Sequence, residues 1–169
     1  VYTGTQRIKD PWRFGEYDLV LTSYGITRLD IDVFKEFFFN YIILDESQAI
    51  KNPSSNISAA VIQLKSKQKL ILTGTPVENS SMDLWSQMNF INPGLLGNQS
   101  SFKKQFLLPI EKQEDKDKAI KLNAMIKPFI LRRLKSQVAT DLPEKIITVK
   151  YSDMTAAQEE VYEEVKNYY

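Results

Sequence analysis

The sequence contains no cysteine and no histidine among its 169 residues. The first absence excludes disulfides, zinc–thiolate sites and thiol nucleophiles, and the second excludes serine–histidine hydrolases and histidine-ligated metals. Any metal bound here must therefore be a hard cation with oxygen ligands. The formal net charge of +1 gives no overall attraction to nucleic acid or membrane, so a nucleic-acid surface must be a local patch.

Long hydrophobic runs are also absent. The longest apolar block, residues 37–44, is interrupted by Asn40 and is far too short to span a bilayer. The N-terminus lacks the charged-then-apolar pattern of a signal peptide. We therefore expect an intracellular protein, in the cytoplasm or nucleoid of a bacterium or in the nucleus of a eukaryote. Both ends fall inside apparent structural elements, so we also expect an excerpt of a longer protein.

Residues 41–48, with the sequence Tyr-Ile-Ile-Leu-Asp-Glu-Ser-Gln, carry the strongest local pattern. An apolar run that stops abruptly at Asp45 and Glu46 predicts a strand buried on both faces, as in a parallel sheet covered by helices. Its acidic end then lies at the carboxyl edge of the sheet, where ligands bind in open α/β folds. Two adjacent carboxylates there indicate a magnesium ion beside a nucleotide phosphate.

The neighbouring segments predict more strands of the same kind. Strands at 18–22, 41–44 and 69–73 alternate with helices at 30–39, after a possible Asp30 cap, and from Pro53 onward. This order predicts a parallel α/β unit. All three strands end on polar residues, which the parallel arrangement brings to one edge: Thr22 and Ser23, Asp45 and Glu46, and Thr73, Gly74 and Thr75.

The remainder of the chain has a different character. Helical patterns dominate from residue 81, with Leu84, Trp85, Met88 and Ile91 on one helix, and a charged run at 111–118 is a solvated loop or a helix start. Residues 146–149 have the composition of a strand, and residues 155–158 match a capping box that opens a final helix. We divide the chain into an α/β part (1–80), a helical part (81–145) and a β-then-α tail (146–169).

Ordinary structural explanations exist for both polar strand ends. Asp45 and Glu46 alone are equally consistent with a capped strand whose acids pair with lysines. Thr73 and Thr75 can cap a plain turn around Gly74, although that glycine also permits close approach of a ligand to the backbone. Residue patterns at each end leave these alternatives open.

The motifs taken together resemble the SWI/SNF-type ATPases of helicase superfamily two. The resemblance rests on residues 45–52 (DESQAIKN), 72–79 (LTGTPVEN), 90–97 (FINPGLLG), 128–135 (PFILRRLK) and 141–145 (DLPEK), and it covers nearly the whole chain in the family's order. It implies a RecA-like (P-loop NTPase) parallel sheet. Residues 1–80 would be the second half of the first lobe, 81–145 the helical protrusion and 146–169 the link into the second lobe.

The resemblance also implies roles for individual residues. Asp45 stands at the magnesium-binding position, through water, and Glu46 at the water-activating position. Gln48 stands where many members carry histidine, so its side chain still forms hydrogen bonds but cannot titrate. The implied cofactor and substrate are Mg²⁺ and ATP.

Two further segments acquire roles in the same way. Thr73, Gly74 and Thr75 match the motif that couples nucleotide state to DNA and to the second lobe. The segment that lies against the DNA backbone in the family is matched here by Thr22, Ser23 and Tyr24. Hydroxyl and N–H groups at such a strand end can contact phosphates without reading bases.

Arg132 and Arg133 form a fixed feature of the family. The resemblance leaves open whether they contact phosphate, the second lobe or only nearby acidic residues. We favour the last of these, in which the two arginines have a structural role. The phosphate-cradling loop G-x-x-x-x-G-K-[S/T] does not occur in the sequence. In the family that loop lies upstream and the arginine finger lies downstream of the matched region. Because both contribute to phosphoryl transfer, we expect this chain alone neither to hydrolyse nor to bind ATP tightly.

The parent protein is thus expected to be an ATPase that moves along double-stranded DNA and shifts bound proteins rather than separating strands. Two alternatives belong to other classes. One is a non-catalytic DNA- or protein-binding module derived from the same lobe. The other is an unrelated magnesium-dependent carboxylate enzyme, which would need further acidic ligands on neighbouring strand ends. An ATPase that separates DNA strands would be a variant of the motor hypothesis. An unwinding assay distinguishes it from an ATPase that moves along duplex DNA without separating the strands.

Overall fold

The computed structural model describes residues 1–74, 81–133, 137 and 146–168. By its internal contacts the chain divides into two compact units, Val1–Ile130 and Leu131–Tyr169. The regular elements are α1 (Tyr24–Leu29), α2 (Ile31–Phe34), β1 (Phe38–Leu44), α3 (Asn56–Val61), β2 (Lys65–Ile71), α4 (Ser81–Ile91), α5 (Gln99–Phe102), α6 (Leu108–Gln113), α7 (Lys116–Ile126) and α8 (Ala156–Tyr168). Short 3₁₀ turns cover Pro11–Glu16, Ser47–Ile50 and Lys127–Phe129, and a π-helical turn covers Lys103–Leu107.

Strands β1 and β2 pair in parallel, as the alternation of strands and helices predicts. Ile42 lies opposite Lys69 and Leu44 opposite Ile71. The crossover contains α3, whose first turn is capped by Ser55 through a hydrogen bond of 3.1 Å from the Ser58 amide. The pairing continues past the strands, because Leu72 N donates to Leu44 O at 2.8 Å.

The predicted strand at 18–22 is not present in this sheet. The sheet has two strands, and within the described residues the segment bonds instead to the N-terminus, where Tyr2 N donates to Leu21 O at 2.7 Å. The apolar composition that predicted a buried strand does not reflect burial here, since Leu19 and Leu21 remain largely exposed.

The two faces of β1 differ in burial. Ile42 and Leu44 are buried, whereas Tyr41 and Ile43 point the other way and are 66% and 55% exposed. The prediction of a strand buried on both faces is therefore wrong for the part of the chain that the structure describes. Alternate residues of a strand point to opposite faces, and α3 and its neighbours cover only one of them.

The covered face of the sheet packs onto the first hydrophobic cluster. Aromatic rings make up the part of the cluster that comes from residues before β1, where Phe14 and Phe34 stack with their ring centroids 5.0 Å apart. Its members come from the N-terminal segment, α2, β1, the turn after β1, the α3 crossover and α4: Tyr2, Phe14, Phe34, Ile42, Leu44, Ile50, Val61, Leu64 and Phe90. Each of these side chains contributes about 1.5–3 kcal/mol by leaving water, so the cluster holds the N-terminal segment against β1.

Asp30 is a buried charge at the edge of this cluster. Sequence patterning predicts it as a helix cap, but its side chain makes no capping bond to α2. It instead forms ion pairs with Arg7 and Lys9 and accepts a hydrogen bond from the Tyr2 hydroxyl at 3.0 Å. The hydrogen bond from Arg7, together with those from Lys9 and Tyr2, lowers the pKa of the Asp30 carboxyl to about 2.

The helices after β2 surround a second hydrophobic cluster. It contains three of the four residues predicted for the apolar face of α4, and its buried members are Leu84, Trp85, Met88, Leu96, Phe102, Phe106, Leu122 and Ile126. Asn98 and Asp115 cap α5 and α7 through their side chains, and α7 continues to Ile126, two residues before Pro128. The charged run predicted as loop or helix start contains the end of α6, a turn at Glu114 and the beginning of α7.

One buried hydrogen bond joins α4 to the turn that follows β1. The Ser86 hydroxyl donates to the Ile50 carbonyl at 2.6 Å, and both residues are almost fully buried. A buried carbonyl without a partner costs about 1–3 kcal/mol, so this bond ties the helical part to the acidic end of the sheet.

The second unit contains α8. The predicted capping box is confirmed, because Thr155 N donates to Gln158 Oε1 at 3.1 Å and Gln158 N donates back to Thr155 Oγ1 at 3.4 Å. The predicted strand at 146–149 is wrong, since these residues adopt no regular structure. The predicted boundaries at residues 80 and 145 lie outside the described residues and stay predictions. None of the helices in the described ranges is sufficiently long and apolar to cross a bilayer.

We predict that Asp30→Asn lowers the free energy of unfolding at pH 7 by about 2 kcal/mol, which corresponds to the shift of its pKa from 3.8 to about 2. Because the folded-state pKa is depressed, this contribution is present above the unfolded pKa and is lost as pH falls toward 2. Urea unfolding of wild type and variant at pH 7 and at pH 3 measures both effects.

Asp32→Asn is the matched control. Asp32 is paired with Lys35 but is 86% exposed, so its loss should cost at most about 0.5 kcal/mol. Equal destabilisation by the two substitutions at pH 7 would contradict a special contribution from the buried carboxylate.

Candidate active site

The carboxyl ends of β1 and β2 lie side by side and carry the predicted polar residues. Asp45 and Glu46 follow β1, and Thr73 and Gly74 follow β2. Ser47 N donates to Leu72 O at 3.0 Å, which holds the turn after β1 against the end of β2. The structure thus brings together the two strand ends as the parallel arrangement predicts, while Thr75 lies outside the described residues.

The peptide group that joins Asp45 and Glu46, here called the 45–46 peptide, is held at both of its polar atoms. Its carbonyl oxygen accepts a hydrogen bond from the Tyr24 hydroxyl at 2.7 Å. Its N–H donates to Asp45 Oδ1 at 2.9 Å. Glu46 itself adopts the left-handed conformation, with φ 49° and ψ 53°, which a non-glycine residue rarely occupies. The chain therefore turns sharply at the residue predicted to activate water.

Gln48 connects the acidic strand end to the next one. Its Nε2 donates to Glu46 Oε2 at 2.7 Å, and its Oε1 accepts from Thr73 Oγ1 at 3.4 Å. The buried Ser47 and Ile50 at either end of the 3₁₀ turn Ser47–Ile50 orient the glutamine toward both partners. The three side chains consequently form one hydrogen-bonded line across the edge of the sheet.

Neither acidic side chain is paired with a basic one within the described residues. The ion pairs formed within the described residues involve other acids, and Asp45 and Glu46 are exposed. This argues against the alternative in which the two acids simply pair with lysines. Two exposed carboxylate groups at the end of a strand leave negative charge available for a cation.

The donor set fits magnesium in the role that the sequence predicts. Mg²⁺ usually takes one or two protein carboxylates and completes its shell with water and substrate phosphate. Clusters of three or more acidic residues that could hold a metal by themselves are not found among the described residues.

The segment predicted to contact DNA begins α1. Ser23 is its N-cap and accepts a hydrogen bond from Ile26 N at 3.3 Å, while its carbonyl accepts from the amide and the hydroxyl of Thr27 at 2.9 and 3.0 Å. Thr22 and Ser23 remain exposed, and Tyr24 is half-buried. Contact of this segment with DNA stays a prediction, but the Tyr24 hydroxyl already has a partner inside the protein.

Burial, together with the smaller effect of the neighbouring carboxylates of Asp45 and Glu46, raises the pKa of Tyr24 to about 12. Each of these effects disfavours a third negative charge at the strand end. The tyrosine is therefore a neutral hydrogen-bond donor at physiological pH.

The surroundings of the remaining predicted residues, Gly74, Arg132 and Arg133, say little about their roles. A Cβ atom on Gly74 would meet no described atom within 4 Å, so packing inside this chain does not require glycine there. Arg132 and Arg133 are exposed in the second unit, and their role stays a prediction.

Sequence reasoning missed two contacts of the site. The bond from Tyr24 to the 45–46 peptide joins residues 21 positions apart, and a tyrosine after a strand carries no signal of such a partner. Ser86 did carry a signal, because it is a polar residue beside Leu84 and Trp85 on an apolar helix, where a buried partner is expected.

Comparison with known proteins gives consistent results. Residues 1–168 match the SNF2-related domain family. The chain is 40% identical over 163 residues to the TATA-binding protein-associated factor BTAF1 of Arabidopsis thaliana, covering 90% of this chain and 8% of that protein. It is 41% identical over 150 residues to the putative ATP-dependent helicase/translocase YwqA of Bacillus subtilis, covering 88% of this chain and 16% of that protein.

Solved structures show the same similarity. The SWI2/SNF2 ATPase core of Sulfolobus solfataricus in complex with dsDNA is 48% identical, with a TM-score of 0.70, and the match covers 90% of this chain and 33% of that one. The same ATPase core domain in a second structure is 45% identical, with a TM-score of 0.70 and coverage of 99% and 34%. The chain thus spans a minor part of each of these relatives.

We predict that the Tyr24 hydroxyl titrates near pH 12 in the folded protein, compared with 10.0 for an ordinary tyrosine. The difference in tyrosinate absorbance between wild type and Tyr24→Phe isolates this group. Because the folded-state pKa is raised, the stability that Tyr24 contributes is complete below pH 10 and is lost as pH rises toward 12. The same difference measured in urea is the control, and equal midpoints in the folded and unfolded protein would contradict the assignment.

Proposed function

This chain belongs to the SNF2-related family of SWI2/SNF2-type ATPases, with their RecA-like α/β fold, and on that basis we propose that it serves a motor that couples ATP hydrolysis to movement along duplex DNA. The parent protein, meaning the longer protein that we infer contains this chain, would shift or strip DNA-bound proteins. The observation that carries the proposal is the pair of exposed carboxylates after β1, which form no ion pair with the described residues and of which Glu46 is joined through Gln48 to the end of β2.

Asp45 is assigned to the magnesium shell. One of its oxygens accepts the Glu46 N–H, so the side chain is anchored while the other oxygen remains available for a metal-bound water. Mg²⁺ held there would neutralise charge on the phosphates of ATP. The exposure of Asp45 and its lack of a basic partner in the described part of the chain support this role.

Glu46 is assigned to orienting and polarising the attacking water. Gln48 donates to Glu46 Oε2, which restrains the carboxylate and leaves Oε1 to accept a hydrogen bond from water. Gln48 cannot take up a proton, so it holds this geometry without competing for the proton that the water releases. Its second bond, to Thr73, relates the position of Glu46 to the segment after β2.

Duplex DNA is the proposed track. The exposed hydroxyls of Thr22 and Ser23 lie at the start of α1, where they are suited to phosphate contacts that do not depend on base sequence. The relative from Sulfolobus solfataricus was solved as an ATPase core in complex with dsDNA. We propose the same partner for this chain, with the segment at 73–75 transmitting the state of the nucleotide.

The rest of the motor is proposed to lie elsewhere in the parent protein. This chain corresponds to about a third of the solved ATPase cores, and its sequence contains no phosphate-cradling loop. We infer that it forms the second half of the first lobe and the helical protrusion. Closure against a second RecA-like lobe around ATP, and release after hydrolysis, would then change the grip on DNA.

We predict that Glu46→Gln in the parent protein lowers DNA-stimulated ATP turnover by at least about 100-fold while ATP remains bound, because water is no longer polarised. Steady-state hydrolysis with duplex DNA and retention of labelled ATP measure the two effects. The substitution keeps a hydrogen-bonding side chain at this position.

Glu36→Gln is the matched control, since Glu36 is exposed between α2 and the amino end of β1, at the opposite end of the strand from Asp45 and Glu46, and turnover should be unchanged. Unchanged turnover in Glu46→Gln would remove Glu46 from its role. A wild-type parent without ATPase activity would favour the non-catalytic binding module. The 169-residue chain alone should not hydrolyse ATP. If it did, and if Glu46→Gln abolished that activity, the inference that the rest of the motor lies elsewhere in the parent protein would be contradicted.

A further inference from the structure

The 45–46 peptide is restrained by side chains at both polar atoms. Tyr24 holds its carbonyl oxygen and Asp45 holds its N–H. A rotation of this peptide changes ψ of Asp45 and φ of Glu46 together. It would break the hydrogen bond between the Glu46 N–H and Asp45 Oδ1 and take Glu46 out of its left-handed conformation, so both residues assigned to magnesium and to water depend on the orientation of this peptide.

The conformation of Glu46 makes such a restraint necessary. A left-handed non-glycine residue costs on the order of 1–3 kcal/mol and persists only when its surroundings hold it. On the C-terminal side of Glu46, Ser47 N bonds to Leu72 O at 3.0 Å and Ala49 N bonds to Glu46 O at 3.1 Å. On the N-terminal side, the hydroxyl of Tyr24 is the contact from a different segment of the chain.

Tyr24 is itself positioned by the turn that presents Thr22 and Ser23. It is the first residue of α1, directly after the N-cap, and the buried Thr27 holds the Ser23 carbonyl through two hydrogen bonds. Its ring packs against the first hydrophobic cluster. A displacement of the Ser23 backbone therefore moves the tyrosine hydroxyl, and with it the 45–46 peptide.

We propose that Tyr24 is a positioning residue that sets the orientation of the 45–46 peptide, and thereby links the DNA-facing turn at 22–23 to the hydrolytic carboxylates. This inference rests on the proposed function and replaces direct DNA contact as the role of the Tyr24 hydroxyl. The tyrosine touches neither phosphate nor water in this account and acts through Asp45 and Glu46.

The chemistry of the hydroxyl agrees with this role. The Tyr24 hydroxyl lies 2.7 Å from the Asp45 carbonyl oxygen, and a phenol can donate the hydrogen bond that a carbonyl oxygen can only accept. Phenylalanine would keep the ring and its packing and remove only the donor. The substitution therefore separates the hydrogen bond from the hydrophobic contact.

The test compares wild type with Tyr24→Phe in the parent protein, saturated with duplex DNA. We expect kcat for ATP hydrolysis to fall about fivefold, the equivalent of one hydrogen bond of about 1 kcal/mol, with KM for ATP and affinity for duplex DNA unchanged. Hydrogen–deuterium exchange should become faster at the amides of residues 45–48, and the melting temperature should change little.

Tyr17→Phe is the matched control, because Tyr17 is 58% exposed and its hydroxyl makes no hydrogen bond to the described residues. It should leave kcat and exchange at 45–48 unchanged. Weaker DNA binding by Tyr24→Phe, with kcat at saturating DNA intact, would overturn the proposal in favour of a phosphate contact. If kcat and hydrogen–deuterium exchange at residues 45–48 were both unchanged, the proposal would be overturned, because the Tyr24 side chain would then contribute only hydrophobic packing. Absence of DNA-stimulated hydrolysis in the wild type would instead overturn the proposed function, on which this inference depends.

Discussion

Parallel pairing of β1 with β2 places Leu44 opposite Ile71 and brings both strands to an end at the same edge. Every feature of the site depends on this register. It puts the Asp45 and Glu46 turn beside Thr73, where Gln48 can bridge them, and it allows Ser47 N to reach Leu72 O. A shift by one residue would turn Ile42 and Leu44 away from the hydrophobic cluster, so burial on that face stabilises the register.

Two parts of the chain outside the sheet hold this edge in place. The helical part does so through Ser86, which bonds to the end of the turn that carries Gln48. The N-terminal part does so through Tyr24, which bonds to the beginning of that turn. The turn after β1 is thus restrained from both sides, by the helical part and by the segment proposed to face DNA. This arrangement suits a site whose geometry must respond to DNA.

Local signals in the sequence were sufficient for much of the fold. The Thr155 and Gln158 capping box and the apolar face of α4 are set by neighbours a few residues apart, and both were predicted correctly. Composition alone failed where pairing partners are distant. Residues 18–22 and 146–149 have strand composition but form no strand, because hydrogen-bonded partners, and not propensity, decide whether a strand forms.

The site was predictable to a similar extent. The motifs identified Asp45, Glu46, Gln48 and Thr73, and the structure brings these four together. The prediction of Asp30 as a helix cap was wrong, because its side chain forms a buried ion pair instead. Charge pairing with Arg7 and Lys9 outweighs one capping hydrogen bond. The bond from Tyr24 to Asp45 was invisible to pattern analysis because it joins a side chain to a backbone carbonyl far along the chain.

The most direct measurement is a crystal structure of the parent protein with Mg²⁺, a non-hydrolysable ATP analogue and duplex DNA. We predict that Asp45 lies in the outer magnesium shell, that Glu46 faces the γ-phosphate, and that the Tyr24 hydroxyl remains bonded to the 45–46 peptide. A nucleotide bound away from the end of β1, or a 45–46 peptide turned away from Tyr24 with both carboxylates still engaged, would contradict it.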